Sequence, residues 1–205
     1  MDTPVIVLAG GTGTGKSTLT AALAEVGAAV IDADRVGHET LDAVREDLLK
    51  AFGAEIVDPR GGIDRRRLGD LVFSDPERLA ALNEIVHPPL VAEIERRVDR
   101  LRQDGAHDLI VIDAALWPQF RGTPPVDLMV MATAPYAVRR ERIEARDGIS
   151  RERAEARLDG QKHLDAFLDD ADAVLDTARS PEATRAALFT LIDERFGPRW
   201  RTNRP

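Results

Sequence analysis

The chain has 205 residues, 43% hydrophobic and 31% charged, with no cysteine and a formal net charge of −8. That length buries one core, or one core plus an insertion, without covalent staples. The lack of thiols excludes a disulfide framework, a cysteine zinc site and thiol catalysis, and the acidic balance argues against general affinity for nucleic-acid backbones or anionic membranes.

Met1-Asp2-Thr3-Pro4 carries no basic run, and Val5–Ala9 is too short an apolar stretch for a signal peptide or a span. A soluble protein of the reduced cytosol is expected. Val5-Ile6-Val7-Leu8 reads as a strand buried on both faces of a parallel sheet. Gly10–Gly15 interrupts it, and Ser17–Val26 continues as a helix with Leu19, Ala22, Leu23 and Val26 on one face and Gly27 just past its end. Ala28–Ile31 is a second strand, running into Asp32-Ala33-Asp34.

From about Val36 to Gln103 the pattern is helical and charged, with helices expected over 38–51, 65–73, 76–86 and 88–103. Pro76 and Pro88 are read as first-turn prolines, which makes His87-Pro88 a helix boundary. Asp58-Pro59-Arg60-Gly61-Gly62 reads as a turn. Strand character returns at Leu109–Ile112, ending in Asp113, and at Leu128–Ala132. A helix from Pro135 to about Arg146 stops at Asp147-Gly148, Ser150 caps the next, Ala173–Leu175 is a last strand, and Pro181–Phe196 is a closing helix. The basic tail 198–205 is expected to fray. Strands alternating with helices mean an α/β fold. The domain reading is a nucleotide-binding core over 1–35 and 105–205, a lid near 140–165, and a helical insertion over 36–104.

Gly10-Gly11-Thr12-Gly13-Thr14-Gly15-Lys16-Ser17 fits G-x-x-x-x-G-K-[ST], with a strand before it and a helix after it. Such a loop turns successive backbone N–H groups inward on phosphates at a helix N-terminus. Lys16 supplies charge for the β- and γ-phosphates, and the Ser17 hydroxyl suits Mg²⁺. The lysines, Lys16, Lys50 and Lys162, form no [NT]-K-x-D element, which argues against a guanine-specific switch. A small-molecule kinase needs an acceptor-side carboxylate, an acceptor pocket and an arginine-bearing lid. Asp32 and Asp34 follow the second strand, and strand alternation would place both carboxylates on one side. Asp113, at another strand end, suits Mg²⁺ held through water. Arg142 and Arg146, one turn apart, are the arginines expected to reach the phosphates, while Arg139, Arg140, Arg151, Arg153 and Arg157 read mostly as a solvated, salt-bridged face. The four histidines, His38, His87, His107 and His163, have no metal-ligand spacing.

These landmarks together resemble the dephospho-CoA kinases, which use ATP to phosphorylate the ribose 3′-hydroxyl of dephospho-CoA. The resemblance runs through Gly10–Thr18, Val30-Ile31-Asp32-Ala33-Asp34, Phe52-Gly53, Gly62-Ile63-Asp64-Arg65, Leu68, Val72-Phe73, Leu82-Asn83-Glu84-Ile85-Val86-His87-Pro88, Arg142, Arg146-Asp147-Gly148-Ile149-Ser150, Gln161 and Ala171-Asp172. It implies a P-loop kinase-type three-layer fold with a central parallel sheet, a helical acceptor-binding insertion and a lid. It further implies ATP and Mg²⁺ as the phosphoryl donor system and dephospho-CoA as the small-molecule acceptor. Asp34 would be the general base. Gly11, Thr12, Gly13, Thr14, Gly15, Lys16, Ser17 and Thr18 would bind ATP with Arg142 and Arg146, while Arg65, His87, Asp32 and Asp113 would serve the acceptor side.

The chain departs from the family pattern at several places. Ala114-Ala115-Leu116-Trp117-Pro118-Gln119 replaces Pro-Leu-Leu-Phe-Glu, His38 stands at a usually basic position, Arg139 replaces a glutamine, Phe167 a basic residue and Thr177 an asparagine. A relative acting on another hydroxyl, or a nucleotide-binding protein without catalysis, are the alternatives at this point.

Overall fold

The structure is a computed structural model that describes residues 3–72, 75–120 and 122–201. Five strands, β1 (Val5–Ala9), β2 (Ala29–Asp32), β3 (Ile110–Asp113), β4 (Leu128–Thr133) and β5 (Ala173–Asp176), form one parallel sheet in the order β2-β3-β1-β4-β5. Each strand is short and apolar because both of its faces are covered. Ile6, Leu8, Leu109, Val111, Leu128 and Val130 pack with Leu19, Ala22 and Leu23 of α1 (Lys16–Glu25) and Leu188, Phe189 and Ile192 of α8 (Pro181–Phe196). On the opposite face Val7, Ile110, Ile112 and Met131 are just as deeply buried. The α/β expectation, with helices on both sides of a parallel sheet, matches this three-layer arrangement.

The chain forms two compact units. One, residues 1–32, 98–119 and 125–205, contains the sheet, α1, α6 (Tyr136–Asp147), α7 (Arg151–Asp159) and α8. The other, residues 33–97 and 120–124, contains α2 (Ala33–Thr40), α3 (Arg45–Phe52), α4 (Arg65–Val72) and most of α5 (Pro76–Asp104). The insertion therefore begins at 33 rather than 36 and ends at 97 rather than 104, because α5 is one helix whose last turns belong to the sheet unit.

In the helical unit, Leu48, Phe52, Ile56, Leu68 and Val72 form the core, with Leu79, Leu82, Ile85 and Val86 of α5 packed on it. The expected turn at 58–62 is present. Asp58 Oδ1 accepts from the N–H groups of Arg60 at 2.7 Å and Gly62 at 3.0 Å, and Val57 pairs antiparallel with Ile63. Asp64 Oδ1 accepts from the N–H groups of Arg66 and Arg67, both at 3.1 Å, and so caps α4.

Three expectations are corrected. The 38–51 helix is two helices, and the first starts directly after β2. Asp34 thus lies in the first turn of α2, where an acidic side chain suits the helix dipole, and strand alternation does not relate it to Asp32. The helices expected over 76–86 and 88–103 are one, with Pro88 and Pro89 inside it. A proline inside a helix costs about 3 kcal/mol against alanine, and burial of Leu90, Val91 and Ile94 just beyond the pair offsets it. The tail does not fray at its start. Pro198–Arg201 is a 3-10 turn, and Trp200, 3% exposed, packs edge-on against Phe189 at 5.1 Å. Phe73 and residues 202–205 lie outside the described residues.

Glu93 accepts from Arg97 Nε at 2.7 Å and from Arg96 Nε at 2.8 Å, and Arg97 also pairs with Glu39. Partial burial pushes the Glu93 carboxyl up, but the two guanidiniums outweigh it and hold it below the usual glutamate range. A depressed carboxylate stabilises the fold fully above its unfolded pKa, and that contribution disappears as pH falls through the folded value. Glu93→Gln should lower stability at neutral pH by about 1 kcal/mol. It should also flatten the acid limb of a Tm-against-pH profile between about pH 5 and pH 3.

Candidate nucleotide-binding site

β1 ends at Ala9, and the chain turns through Gly10–Gly15 before α1 begins at Lys16. Two glycines are obligatory on steric grounds. A Cβ at Gly10 would sit 2.5 Å from the Ala132 carbonyl oxygen, and Gly13, at φ 77°, would place one 2.7 Å from the Arg139 carbonyl oxygen. Thr14, 2% exposed, donates its hydroxyl to the Gly11 carbonyl at 2.8 Å and its N–H at 3.3 Å, which folds 11–14 into a tight turn. No side chain caps α1 and no acidic residue occupies its first turn, so the positive end of the helix faces the loop uncompensated. Ser17 and Thr18 are exposed in that first turn.

The loop is held from outside by α6, by Gln161 and by the end of β5. Arg139, 6% exposed, donates Nε to the Thr12 carbonyl at 3.0 Å, and Gln161 Oε1 accepts from the Thr12 N–H at 2.6 Å. Arg142 Nη1 donates to the Gly13 carbonyl at 3.3 Å and to Thr177 Oγ1 at 2.9 Å, while its Nη2 donates to the Thr177 carbonyl at 2.6 Å. The Thr177 hydroxyl donates to the Thr14 carbonyl at 2.7 Å. Arg146 is exposed, forked onto Asp147 at 2.7 and 3.0 Å, with Nη2 3.5 Å from the Thr12 hydroxyl. Burial pushes the Arg139 guanidinium below the usual arginine range against the pull of Asp165, whereas the Asp147 carboxylate raises Arg146.

Arg142 and Arg146 thus lie beside the loop, and Arg139 joins them on the same face of α6. The expectation of a solvated Arg139 is corrected, because its guanidinium is buried against the Thr12 carbonyl, while Thr177 reads from sequence only as a departure and Gln161 has no role there. Arg139 stands three residues before Arg142 and seven before Arg146, a helical spacing that could have found it. Arg140 and Arg151 do face acidic partners, Arg140 with Glu144 at 3.2 Å and Arg151 with Glu155 at 2.9 Å.

At the carboxyl edge of the sheet, Asp113 forms an ion pair with Lys16, and its Oδ2 accepts from the Thr20 hydroxyl at 2.8 Å. Asp32 closes β2 in register with Asp113 and is exposed. A hydroxyl, a carboxylate and substrate phosphates are the oxygen donors Mg²⁺ favours, so Ser17 and Asp113 fit it without a dedicated cage. Among the described residues, no group of three or more His, Cys, Asp or Glu could hold a metal ion.

In the helical unit, Asp34 is exposed in the first turn of α2, and Arg65 is exposed at the start of α4. His87 is half-buried within α5 and tilts 57° against Phe120, with ring centroids 4.8 Å apart. His38 is exposed near the end of α2. In the sheet unit the departing segment 114–119 folds as a turn closed by Trp117 N–H to the Ala114 carbonyl at 3.2 Å, and both residues are buried. Phe167 sits in the 3-10 stretch Lys162–Asp170, half-buried. No helix among the described residues is long and apolar enough to cross a membrane.

Comparison with known proteins bears on this geometry. The sequence profile of the dephospho-CoA kinase family matches residues 4–182. A dephospho-CoA kinase of Carboxydothermus hydrogenoformans is 36% identical over 194 residues, covering 93% of this chain and 94% of the relative. One from Symbiobacterium thermophilum is 40% identical over 185 residues, covering 89% and 77%. A crystal structure of a Thermus thermophilus protein superposes with a TM-score of 0.77 at 32% identity over 95% of this chain and 98% of that one. The dephospho-CoA kinase of Campylobacter jejuni gives 0.58 at 25% identity over 93% and 96%. With the glycine loop, the α6 arginines and the carboxyl-edge aspartates along the matched length, the chain belongs to the dephospho-CoA kinase family of P-loop kinases.

Proposed function

We propose that the chain transfers the γ-phosphoryl group of ATP to the ribose 3′-hydroxyl of dephospho-CoA, releasing ADP and coenzyme A. The observation that carries this reading is the glycine loop at the sheet's carboxyl edge, with Lys16 on Asp113, in a chain matched by the family from residue 4 to 182.

Loop N–H groups and the N-terminus of α1 bind the phosphates, and Lys16 places a full positive charge at the same mouth. Arg142 and Arg146 add charge on the lid side and neutralise the triphosphate as the phosphoryl group moves. Ser17, and Asp113 through water, would hold Mg²⁺, which would supply further neutralisation of the phosphates. Asp34 accepts the proton of the acceptor hydroxyl. The hydroxyl oxygen then bonds to the γ-phosphorus, the bond from that phosphorus to the β–γ bridging oxygen breaks, and ADP departs with the electron pair. Arg65, His87 and Asp32 contribute to recognition of the anionic acceptor.

The direct test mixes the protein with Mg-ATP and dephospho-CoA and follows coenzyme A by mass spectrometry and ADP by a coupled assay. Stoichiometric appearance of both supports the reading. ATP binding with no coenzyme A formed refutes dephospho-CoA as the acceptor.

Two variants separate base from cradle. Asp34→Asn removes the proton acceptor and should lower kcat about a thousandfold while leaving ATP affinity near that of the parent. Gly13→Ala forces a side chain into the left-handed region and against the Arg139 backbone. It should weaken ATP binding roughly tenfold by calorimetric titration and lower Tm.

A further inference from the structure

Thr177 directly follows β5, and its N–H donates to the Thr133 carbonyl at 2.9 Å, extending the β4–β5 ladder by one residue. Its position is therefore set by the sheet, and it is 4% exposed. From there the hydroxyl does two things at once, donating to the Thr14 carbonyl and accepting from Arg142 Nη1. Because all peptides here are trans, each carbonyl points opposite to the N–H of the same peptide plane. A Thr14 carbonyl held outward by Thr177 turns the Gly15 N–H toward the inside of the loop. A Thr12 carbonyl held outward by Arg139 does the same for the Gly13 N–H.

We propose that Thr177 is a positioning residue for the phosphate cradle, using its hydroxyl to orient the Thr14–Gly15 peptide and to fix Arg142 against the loop. The role is local to this chain's residue, since a threonine stands where the family pattern has asparagine. It rests on the nucleotide-binding reading of the loop and is independent of which hydroxyl receives the phosphoryl group.

Thr177→Val keeps the shape and removes the hydroxyl, and Thr177→Ser keeps the hydroxyl and removes the methyl. Binding of inorganic tripolyphosphate and of ATP is measured by calorimetry for the parent and both variants, alongside Tm and the KM for each substrate. The expected result is a roughly tenfold rise in Kd for tripolyphosphate and in KM for ATP in the valine variant. The KM for dephospho-CoA should stay within about twofold of the parent, and the serine variant should recover parent-like phosphate affinity. A valine variant that binds tripolyphosphate as the parent does overturns the role even if its Tm falls. A serine variant as weak as valine also overturns it, because the methyl and not the hydroxyl would then matter. A parent protein that binds neither tripolyphosphate nor ATP removes the phosphate reading itself, and the inference with it.

Discussion

A glycine-rich loop has few side chains with which to hold its own shape, yet its use depends on the direction of every peptide plane. The loop at residues 10–15 meets this constraint by having its carbonyls bonded, one by its own Thr14 and three from outside. Thr14 takes the Gly11 carbonyl, Arg139 takes Thr12, Arg142 takes Gly13, and Thr177 takes Thr14. Three of the four donors come from elements more than 100 positions away in sequence, so the cradle exists only once β4, α6 and β5 are assembled around β1. The central position of β1 in the sheet, between β3 and β4, puts all of these elements within reach of one loop.

The same arrangement explains the electrostatics. Phosphate-binding groups concentrate positive charge, and an acidic chain must keep that charge organised when no phosphate is bound. Asp113 does so for Lys16, and it is itself oriented by the Thr20 hydroxyl one helical turn further along α1. Asp147 does so for Arg146. Arg142 is satisfied by two carbonyls and a hydroxyl rather than by an acid, so its positive charge is not cancelled by a carboxylate in those contacts. Positive charge left in this form is available to a phosphate without first breaking an ion pair, in contrast with Lys16.

Features governed by local patterning were legible in the sequence. The buried strands, the loop, Gly27 after α1 and Gly148 ending α6 with φ 62° all follow from apolar runs and from glycine's freedom at positive φ. What sequence patterning missed depends on tertiary context. Pro88 and Pro89 inside α5 defied a local rule because packing of the residues around them outweighs two missing hydrogen bonds. The basic neighbours of Trp200 read as a frayed tail, although its indole packs on Phe189 and donates to Asp193, and Arg201 pairs with Asp193. At the site, Lys16, Arg142 and Asp113 were readable from motif and strand-end position. Gln161 and Thr177 were not, because their partners lie on a distant loop and no spacing rule connects them, whereas Arg139 shares a helical spacing with Arg142 and Arg146.

The departures from the family pattern take on physical meaning through these contacts. Arg139, where the family pattern has glutamine, bonds the loop through a guanidinium buried deeply enough to have its pKa lowered. A family asparagine replaced by Thr177 also bonds the loop, through a hydroxyl short enough to sit between Thr14 and Arg142. Both changes fall on residues that touch backbone carbonyls, which accept from any donor placed at the right distance and direction. Backbone recognition tolerates a change of side chain as long as a donor remains, whereas recognition of a substrate's own groups does not. That asymmetry accounts for how the loop-supporting positions can vary in this chain while Lys16, Ser17, Asp34 and Arg142 match the family pattern.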